Sequence, residues 1–170
     1  MENEENISAR KIAIRALLVA LAMVLSFIES QIPIGVMVPG MKLGLTNIVV
    51  MVALYRLDEK EAIIINVIRI FLVGFTFGNL FSIAYSLAGG ILSGIVMILL
   101  KKTKKVGMTT VSVAGGISHN VGQIIVAMVV MNTNAILYYL LVLWITGVFA
   151  GVAIGILSAE VIKRLPRQFK

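Results

Sequence analysis

The chain of 170 residues is poor in the residue types on which most catalytic and metal sites depend. Cysteine is absent, which excludes disulfides and thiolate metal sites, and a single histidine, His119, cannot form a histidine metal cluster. We therefore expect neither a metal nor a cofactor. Asp58 is the only aspartate, and the sequence has no Gly-x-Ser-x-Gly turn and no Gly-x-x-x-x-Gly-Lys phosphate loop. Hydrolytic chemistry has little support, and a role other than that of an enzyme is favoured.

Charged residues are also scarce, whereas apolar residues dominate. Hydrophobic residues make up 59% of the chain and charged residues 14%, and the mean hydropathy is +1.03. Soluble domains contain only about half apolar residues. The composition therefore indicates an integral protein of the lipid bilayer. A chain of this length can supply five or six helices of about 20 residues each, but no separate catalytic domain.

Six apolar segments are separated by charge clusters or by glycine, proline and asparagine. They lie at about residues 12–28, 43–57, 61–78, 80–100, 108–131 and 134–162. We predict an all-α membrane protein with six transmembrane helices in a single bundle. Residues 10–165 are expected to form one membrane domain, between a polar cytoplasmic tail at 1–9 and a basic cytoplasmic tail at 166–170.

The formal net charge of +7 arises from lysines and arginines at the ends of these segments. All of the fifteen except Lys42 and Arg69 flank apolar segments instead of forming one basic face, which disfavours nucleic acid as a partner. If the spans alternate in direction, these flanking cations all lie on one side of the bilayer. The positive-inside rule then places both termini in the cytoplasm, as in a multi-pass protein of a prokaryotic plasma membrane.

The second segment is unusually short for a transmembrane helix. Residues 43–55 provide about 20 Å of helix, whereas the hydrocarbon core of a bilayer is about 30 Å thick. Pro33 and Pro39 in the preceding stretch ESQIPIGVMVPGMK forbid a continuous helix there. Irregular backbone at membrane depth needs protein partners or a cavity, so residues 30–42 are expected to fold over the outer mouth as a lid.

A few polar side chains interrupt the apolar segments, although an ionisable group near mid-membrane costs roughly 2.5 to 3.5 kcal/mol to insert. Arg69 lies near mid-depth in the third segment, and His119 lies at a comparable depth in the fifth. A guanidinium surrounded by amides suits a carboxylate or a phosphate. The residues predicted to bind a small anionic ligand are Arg69, His119, Lys42, Asn47, Asn66, Asn120 and Gln123.

Each of these residues also has a structural interpretation. Arg69 could pair with Glu29 or bond to carbonyls at a helix end. His119 could be an interior histidine satisfied by the protein, and Lys42 could extend to the membrane surface. The asparagines could link helices by hydrogen bonds. The sequence leaves these alternatives open.

Small residues recur every four positions in two of the segments and as pairs four apart in the first helix (Ala9 with Ala13, Ala16 with Ala20), a spacing typical of close helix packing in membranes. The stripe in the last segment consists of Gly147, Gly151, Gly155 and Ala159. The stripe in the fourth segment consists of Ser86, Gly90 and Gly94. The first segment contains Ala9, Ala13, Ala16 and Ala20. These alanines could pack inside the bundle or form an outward surface that docks another membrane protein.

Four blocks of the sequence, taken together and in order, resemble one membrane family. They are PGMKLGLTNIVVMVALY (39–55), NVIRIFLVG (66–74), SLAGGILSGIVM (86–97) and VSVAGGISHNVGQ (111–123). The family is called heptaprenyl diphosphate synthase component I, and it is also labelled Gx transporter. Its usual Lys-Leu-Gly-Leu-Ala-Asn pattern here has Thr46 in the place of the alanine.

The family in turn resembles the S components of energy-coupling-factor importers, which are small six-helix proteins that bind a scarce compound from outside the cell. The resemblance implies as partners a membrane coupling protein, the T component, and two ATPase subunits. It places the docking face at Ala9, Ala13, Ala16 and Ala20. ATP hydrolysis on separate chains agrees with the absence of a nucleotide loop in this sequence.

The family name implies a link to the polyprenyl chain of a quinone. The sequence lacks the aspartate-rich motifs that such a synthase uses to hold magnesium diphosphate. An S component that captures a small anionic, partly apolar compound is therefore the leading interpretation. The alternative is a membrane component associated with polyprenyl diphosphate and quinone biosynthesis.

Overall fold

The fold was analysed in a computed structural model that describes residues 2–31 and 44–165. Within these ranges the chain is helical and contains no strand. The helices are α1 (Glu2–Gln31), α2 (Asn47–Arg56), α3 (Glu59–Phe77), α4 (Leu80–Thr103), α5 (Met108–Met131) and α6 (Leu137–Arg164). A short 3₁₀ helix at Asn134–Ile136 leads into α6. The all-α class predicted from the sequence is confirmed.

Local capping explains where the inner helices begin and end. The Asp58 side chain accepts a hydrogen bond from the backbone N–H of Glu61 and so caps α3. Asn79 and Ser82 exchange side-chain and backbone hydrogen bonds in a capping box at the start of α4. Asn132 ends α5 in the left-handed conformation, with φ of 47°. The polar residues between the apolar segments therefore act as helix boundaries.

Four of the helices are long and apolar enough to cross a membrane. The segments concerned are Ala9–Glu29, Leu80–Thr103, Met108–Met131 and Asn134–Arg164. The helix α1 also extends back to Glu2, through the polar stretch before its apolar part. α3 has nineteen residues but carries Arg69 and a charged first turn, and α2 has only ten. The protein is thus embedded in a membrane through these apolar helices.

The helix α2 lies in the interior of the bundle, in contact with α1, α3 and α6. Its residues from Val49 to Leu54 are all buried, so every face of the helix is covered by protein. At 1.5 Å per residue, ten residues reach only about 15 Å. A helix enclosed by longer neighbours does not itself have to span the lipid. The short second segment of the sequence is therefore a core helix.

Glycines bring α5 into backbone contact with the helices on either side. A Cβ atom at Gly151 of α6 would lie 2.6 Å from the Val113 Cα of α5, and one at Gly155 would lie 2.7 Å from the Thr109 Cα. The glycine stripe of α6 thus packs inside the bundle, against α5. In α4 the close contact with α5 comes from Gly89, whereas a Cβ at Gly94 would meet nothing within 4 Å.

Basic side chains from several helices meet at one end of the bundle, which we call the basic end. Arg15 of α1 pairs with Glu61 of α3, and the Lys102 Nζ lies 2.9 Å from the Glu59 carboxylate. Two further cations donate to backbone carbonyls there. They are Lys101, 2.7 Å from the Leu54 oxygen, and Arg56, bonded to the Ile162 oxygen. The grouping of these cations agrees with spans that alternate in direction.

Candidate functional site

Arg69 is buried in α3, with only 7% of its surface exposed. Its Nε–H donates to the Asn66 Oδ1 at 2.9 Å, and one Nη1–H donates to the Thr46 Oγ1 at 2.8 Å. A longer contact of 3.5 Å joins Nη2 to the Asn47 Oδ1. All three acceptors are neutral. The positive charge of the guanidinium is therefore oriented by hydrogen bonds without being neutralised by them.

An acid lies near this arginine but does not form an ion pair with it. Within residues 9–29 and 44–165, no carboxylate oxygen lies within 4.0 Å of the Arg69 guanidinium. The Glu29 carboxylate accepts a hydrogen bond from the backbone N–H of Gly44 instead. A guanidinium has five N–H groups, and the described contacts use three of them. The other two N–H groups have no acceptor among the described residues.

A small polar chamber lies beside the guanidinium, with a volume of about 50 Å³. Arg69, Asn47 and Glu29 contribute to its wall from α3, α2 and α1. His119 and Asn120 contribute from α5 on the other side. Four of the residues predicted to bind a ligand, Arg69, Asn47, His119 and Asn120, thus border one space.

The chamber exists because small residues surround the polar ones. Gly116 of α5 and Gly147 and Gly151 of α6 contribute to its lining, together with Ser86 and Ser112. Gly89 brings α4 so close to α5 that a Cβ there would lie 2.7 Å from the His119 carbonyl oxygen. The Asn120 amide donates to the Leu143 carbonyl of α6, which fixes its orientation. Close helix approach and amide bonding together hold the wall in place.

Asn66 differs from the other predicted residues in its position. Its Oδ1 accepts from Arg69, and its amide nitrogen donates to the Gly90 carbonyl of α4 at 3.3 Å. It borders an apolar groove between α2, α3 and α4. It is not among the residues that line the chamber. Asn66 therefore lies behind the guanidinium and links it to α4. This is the interhelical role that the sequence left as the alternative.

Gln123 also lies away from the polar chamber, although it is only 4% exposed. It borders a second cavity of about 550 Å³ between α4, α5 and α6, an open cleft whose lining includes the exposed Phe81, Met131 and Tyr139. The lining is mainly apolar and aromatic, and it includes Phe81, Tyr85, Ala127, Tyr139 and Leu143. The structure thus divides the predicted polar residues of α5 between two adjoining spaces.

Two sequence-based predictions, the lid with Lys42 and the docking face on α1, concern other parts of the chain. Lys42 and residues 32–42 of the expected lid lie outside the described residues. Ala9, Ala13, Ala16 and Ala20 are all exposed along α1, whose buried residues in this region lie on another face at Val19 and Ala22. A docking role for the alanines remains a prediction.

Sequence reasoning missed Thr46 as a member of the site. Thr46 is 4% exposed, precedes α2, and accepts a hydrogen bond from Arg69. A threonine just before a helix normally reads as a capping residue, yet here it makes no capping hydrogen bond. Its hydroxyl is instead available to the guanidinium. Thr46 is therefore a direct partner of Arg69.

The chamber offers hydrogen-bonding and charged groups to a polar ligand. Its groups are one fixed cation, one carboxylate, one imidazole, two amides and hydroxyls. Within the described part of the chain, no three His, Asp or Glu side chains are placed to hold a metal ion. The arrangement suits binding and orientation of a charged group.

Comparison with known proteins gives one match. The family described as heptaprenyl diphosphate synthase component I matches residues 18–161. The matched region begins inside α1 and ends inside α6, so it includes every residue of the chamber named above. No curated protein and no solved structure matches the chain. The chain therefore belongs to the heptaprenyl diphosphate synthase component I family.

Proposed function

We propose that the protein is the substrate-binding subunit, or S component, of an energy-coupling-factor importer. In this role it captures a small anionic, partly apolar compound from the outer side of a prokaryotic plasma membrane. The observation that carries the proposal is Arg69, a buried cation that lies at the wall of a chamber and whose hydrogen-bond partners among the described residues are all neutral. An intramembrane charge in this position is expected to serve a ligand or transport path.

The proposed mechanism follows from the division of roles around the chamber. Arg69, His119 and Lys42 hold the anionic part of the ligand, and Asn47 and Asn120 orient it. Residues 30–42 close over the bound ligand. Closure must reflect tighter ligand binding to the closed state than to the open one.

Transport requires partners in this proposal. The closed protein docks on a T component through Ala9, Ala13, Ala16 and Ala20, and two ATPase subunits supply the energy. The exposure of these alanines on α1 supports an outward surface. Small residues let the backbones of two membrane helices approach closely, which is what a docking face requires.

The first prediction concerns the cation. Arg69→Gln removes the charge and keeps hydrogen-bonding capacity. The affinity of the protein for its ligand should therefore fall at least about tenfold, roughly the effect of losing one charge-assisted hydrogen bond. Native mass spectrometry of protein purified from its own cells identifies the retained molecule, and calorimetry then measures its affinity. Arg164→Gln is the matched control, since Arg164 is exposed and pairs with Glu160 near the end of α6. Equal affinity in Arg69→Gln and the parent would refute the site.

The family description favours a second function, as a membrane component in the synthesis of a polyprenyl diphosphate for a quinone. Activity measurements distinguish the two proposed functions. Product formation from a prenyl diphosphate and magnesium by the purified protein, alone or with a soluble synthase subunit, would support this alternative. ATP-dependent uptake of the retained molecule, seen only when coupling proteins are coexpressed, would support the importer.

A further inference from the structure

The polar chamber is too small for an entire ligand. Its volume of about 50 Å³ has room for roughly three to five waters, since one water needs about 10 to 15 Å³ of such space. Sites for small organic ligands usually measure about 300 to 1,000 Å³. A volume of this size suits a single carboxylate or similar oxyanion. Any larger part of the molecule needs another compartment.

The cavity between α4, α5 and α6 has the size that the chamber lacks. It measures about 550 Å³ and is bordered by the first turns of α4 and α6 and the last turns of α5. These turns lie at the end of the bundle opposite the basic end. The walls are mostly apolar, with the rings of Phe81, Tyr85 and Tyr139 among them. Such a lining suits a flat or extended apolar body.

The two spaces are separated by about one helical turn on α5 and on α6, and on α4 they are bordered by the adjacent residues Ser86 and Tyr85. On α5, Asn120 borders the chamber and Gln123 borders the cavity; on α6, Gly147 borders the chamber and Leu143 the cavity. The Asn120 amide also donates to the Leu143 carbonyl, which joins the two walls directly. One turn of helix is about 5.4 Å, a distance that a few carbon atoms span.

We propose that the chamber and the cavity form one bipartite site for an amphipathic organic anion. The anionic group lies beside Arg69, and a ring-containing or extended apolar body lies between α4, α5 and α6. A polar atom on that body would meet the Gln123 amide, which is buried in the cavity wall. This inference rests on the proposed substrate-binding function and names the substrate class and the location of its apolar part.

The test uses 1-pyrenebutyrate, a carboxylate joined to a rigid four-ring body by a linker about as long as one helical turn. Binding to the whole protein in lipid nanodiscs is measured by pyrene fluorescence and calorimetry, with empty nanodiscs as the blank and butyrate as the probe without a body. The parent protein should bind 1-pyrenebutyrate at least about tenfold more tightly than butyrate, since burying the rings adds apolar area. Equal affinities would overturn the inference.

A matched pair of variants locates the body of the probe. Ala127→Trp puts a large side chain into the cavity and should weaken 1-pyrenebutyrate binding about tenfold or more. Val129→Trp puts the same side chain on the same helix at a position 77% exposed, outside both spaces, and should bind like the parent. Parent-like binding by Ala127→Trp would overturn the inference.

A third variant distinguishes failure of this inference from failure of the proposed function. If Ala127→Trp binds like the parent while Arg69→Gln loses affinity, the bipartite site is wrong and the anion site stands. If Arg69→Gln also binds like the parent, the proposed site fails as well. Thermal unfolding shows whether Ala127→Trp folds, and Ala127→Leu, with a smaller added volume, replaces it if it does not.

Discussion

At the scale of single residues, the orientation of Arg69 depends on two neutral partners, one on its own helix and one just before α2. The Asn66 Oδ1, on the same helix, accepts a hydrogen bond from Nε. The Thr46 Oγ1, in the residue before α2, accepts one from Nη1. A buried charged donor that loses its partner costs more than an exposed one, because water cannot fully replace the bond. The hydroxyl of Thr46 is therefore expected to contribute to stability as well as to orientation.

Thr46→Ala should destabilise the protein by about 1 to 3 kcal/mol, because it leaves a buried guanidinium N–H without its acceptor. Thr46→Ser keeps the hydroxyl and should remain close to the parent. The measurement is the midpoint of thermal unfolding in detergent, followed by ligand affinity. Thr76→Ala is the control, since the exposed Thr76 hydroxyl bonds only to the Leu72 carbonyl of its own helix. Equal losses from Thr46→Ala and Thr46→Ser would contradict this role for the hydroxyl.

The site residues that sequence reasoning identified were those with a high cost of burial. Arg69, His119, Asn47 and Asn120 stand out in apolar segments, and they border the same chamber. Helical spacing could not separate Gln123 from His119, since side chains four residues apart share a face but can border different cavities. Thr46 gave no comparable signal, because a hydroxyl before a helix has an ordinary capping explanation.

At the scale of helices, the glycines of α6 decide how closely α5 can pack. The neighbouring atom at Gly151 is the backbone Cα of Val113, which cannot move aside as a flexible side chain can. Membrane helices lack a hydrophobic driving force for association, and small residues at their crossings let them pack closely instead. Any side chain at this position must therefore separate the two helices that carry much of the chamber wall.

Gly151→Ala should lower the thermal midpoint, with a cost of about 1 to 3 kcal/mol for overpacking against the backbone of α5. Gly94→Ala is the matched control in α4, where a Cβ would meet nothing within 4 Å. It should be neutral or stabilising by up to about 1 kcal/mol, since alanine favours a helix. A Gly151→Ala protein as stable as the Gly94→Ala protein would be inconsistent with this contact.

Helix positions were predictable from the sequence because charges and capping residues separate the apolar segments. Asp58, Asn79 and Asn132 stand at the predicted boundaries and make the local contacts that stop or start a helix. The sequence did not predict equally well which helices pack against each other. In the α4 stripe, Gly90 packs closely on Ile70 and Asn66 of α3, whereas a Cβ at Gly94 would meet nothing within 4 Å, and the backbone contact with α5 is made by Gly89. Periodicity gives the face of a helix but not its partner.

At the scale of the whole molecule, the meeting of basic residues at one end predicts how the bundle crosses the membrane. Arg15, Arg56 and Lys102 come from different helices and are held by contacts at the same end. A concentration of lysine and arginine marks the cytoplasmic side of a membrane protein. The opposite end, where Asn134 lies, should then face outward.

The absence of cysteine makes this orientation directly testable. Single cysteines at the exposed positions Lys105 and Asn134 report on the two ends of the bundle. A membrane-impermeant maleimide should label Asn134→Cys in intact cells, and Lys105→Cys only after the membrane is permeabilised. Labelling of both positions in intact cells would disprove the topology. Retained ligand, read by mass spectrometry, confirms that each variant is folded.

The enclosure of α2 has a consequence for how the protein is made. With only ten residues and no lipid-facing side, α2 cannot settle as an independent membrane anchor when it leaves the ribosome. Its packing partners include α6, and the Arg56 side chain bonds to the Ile162 carbonyl near the end of that helix. Assembly of the first half of the protein should therefore be completed only after translation of the last helix, which makes the centre of the bundle the final part to form.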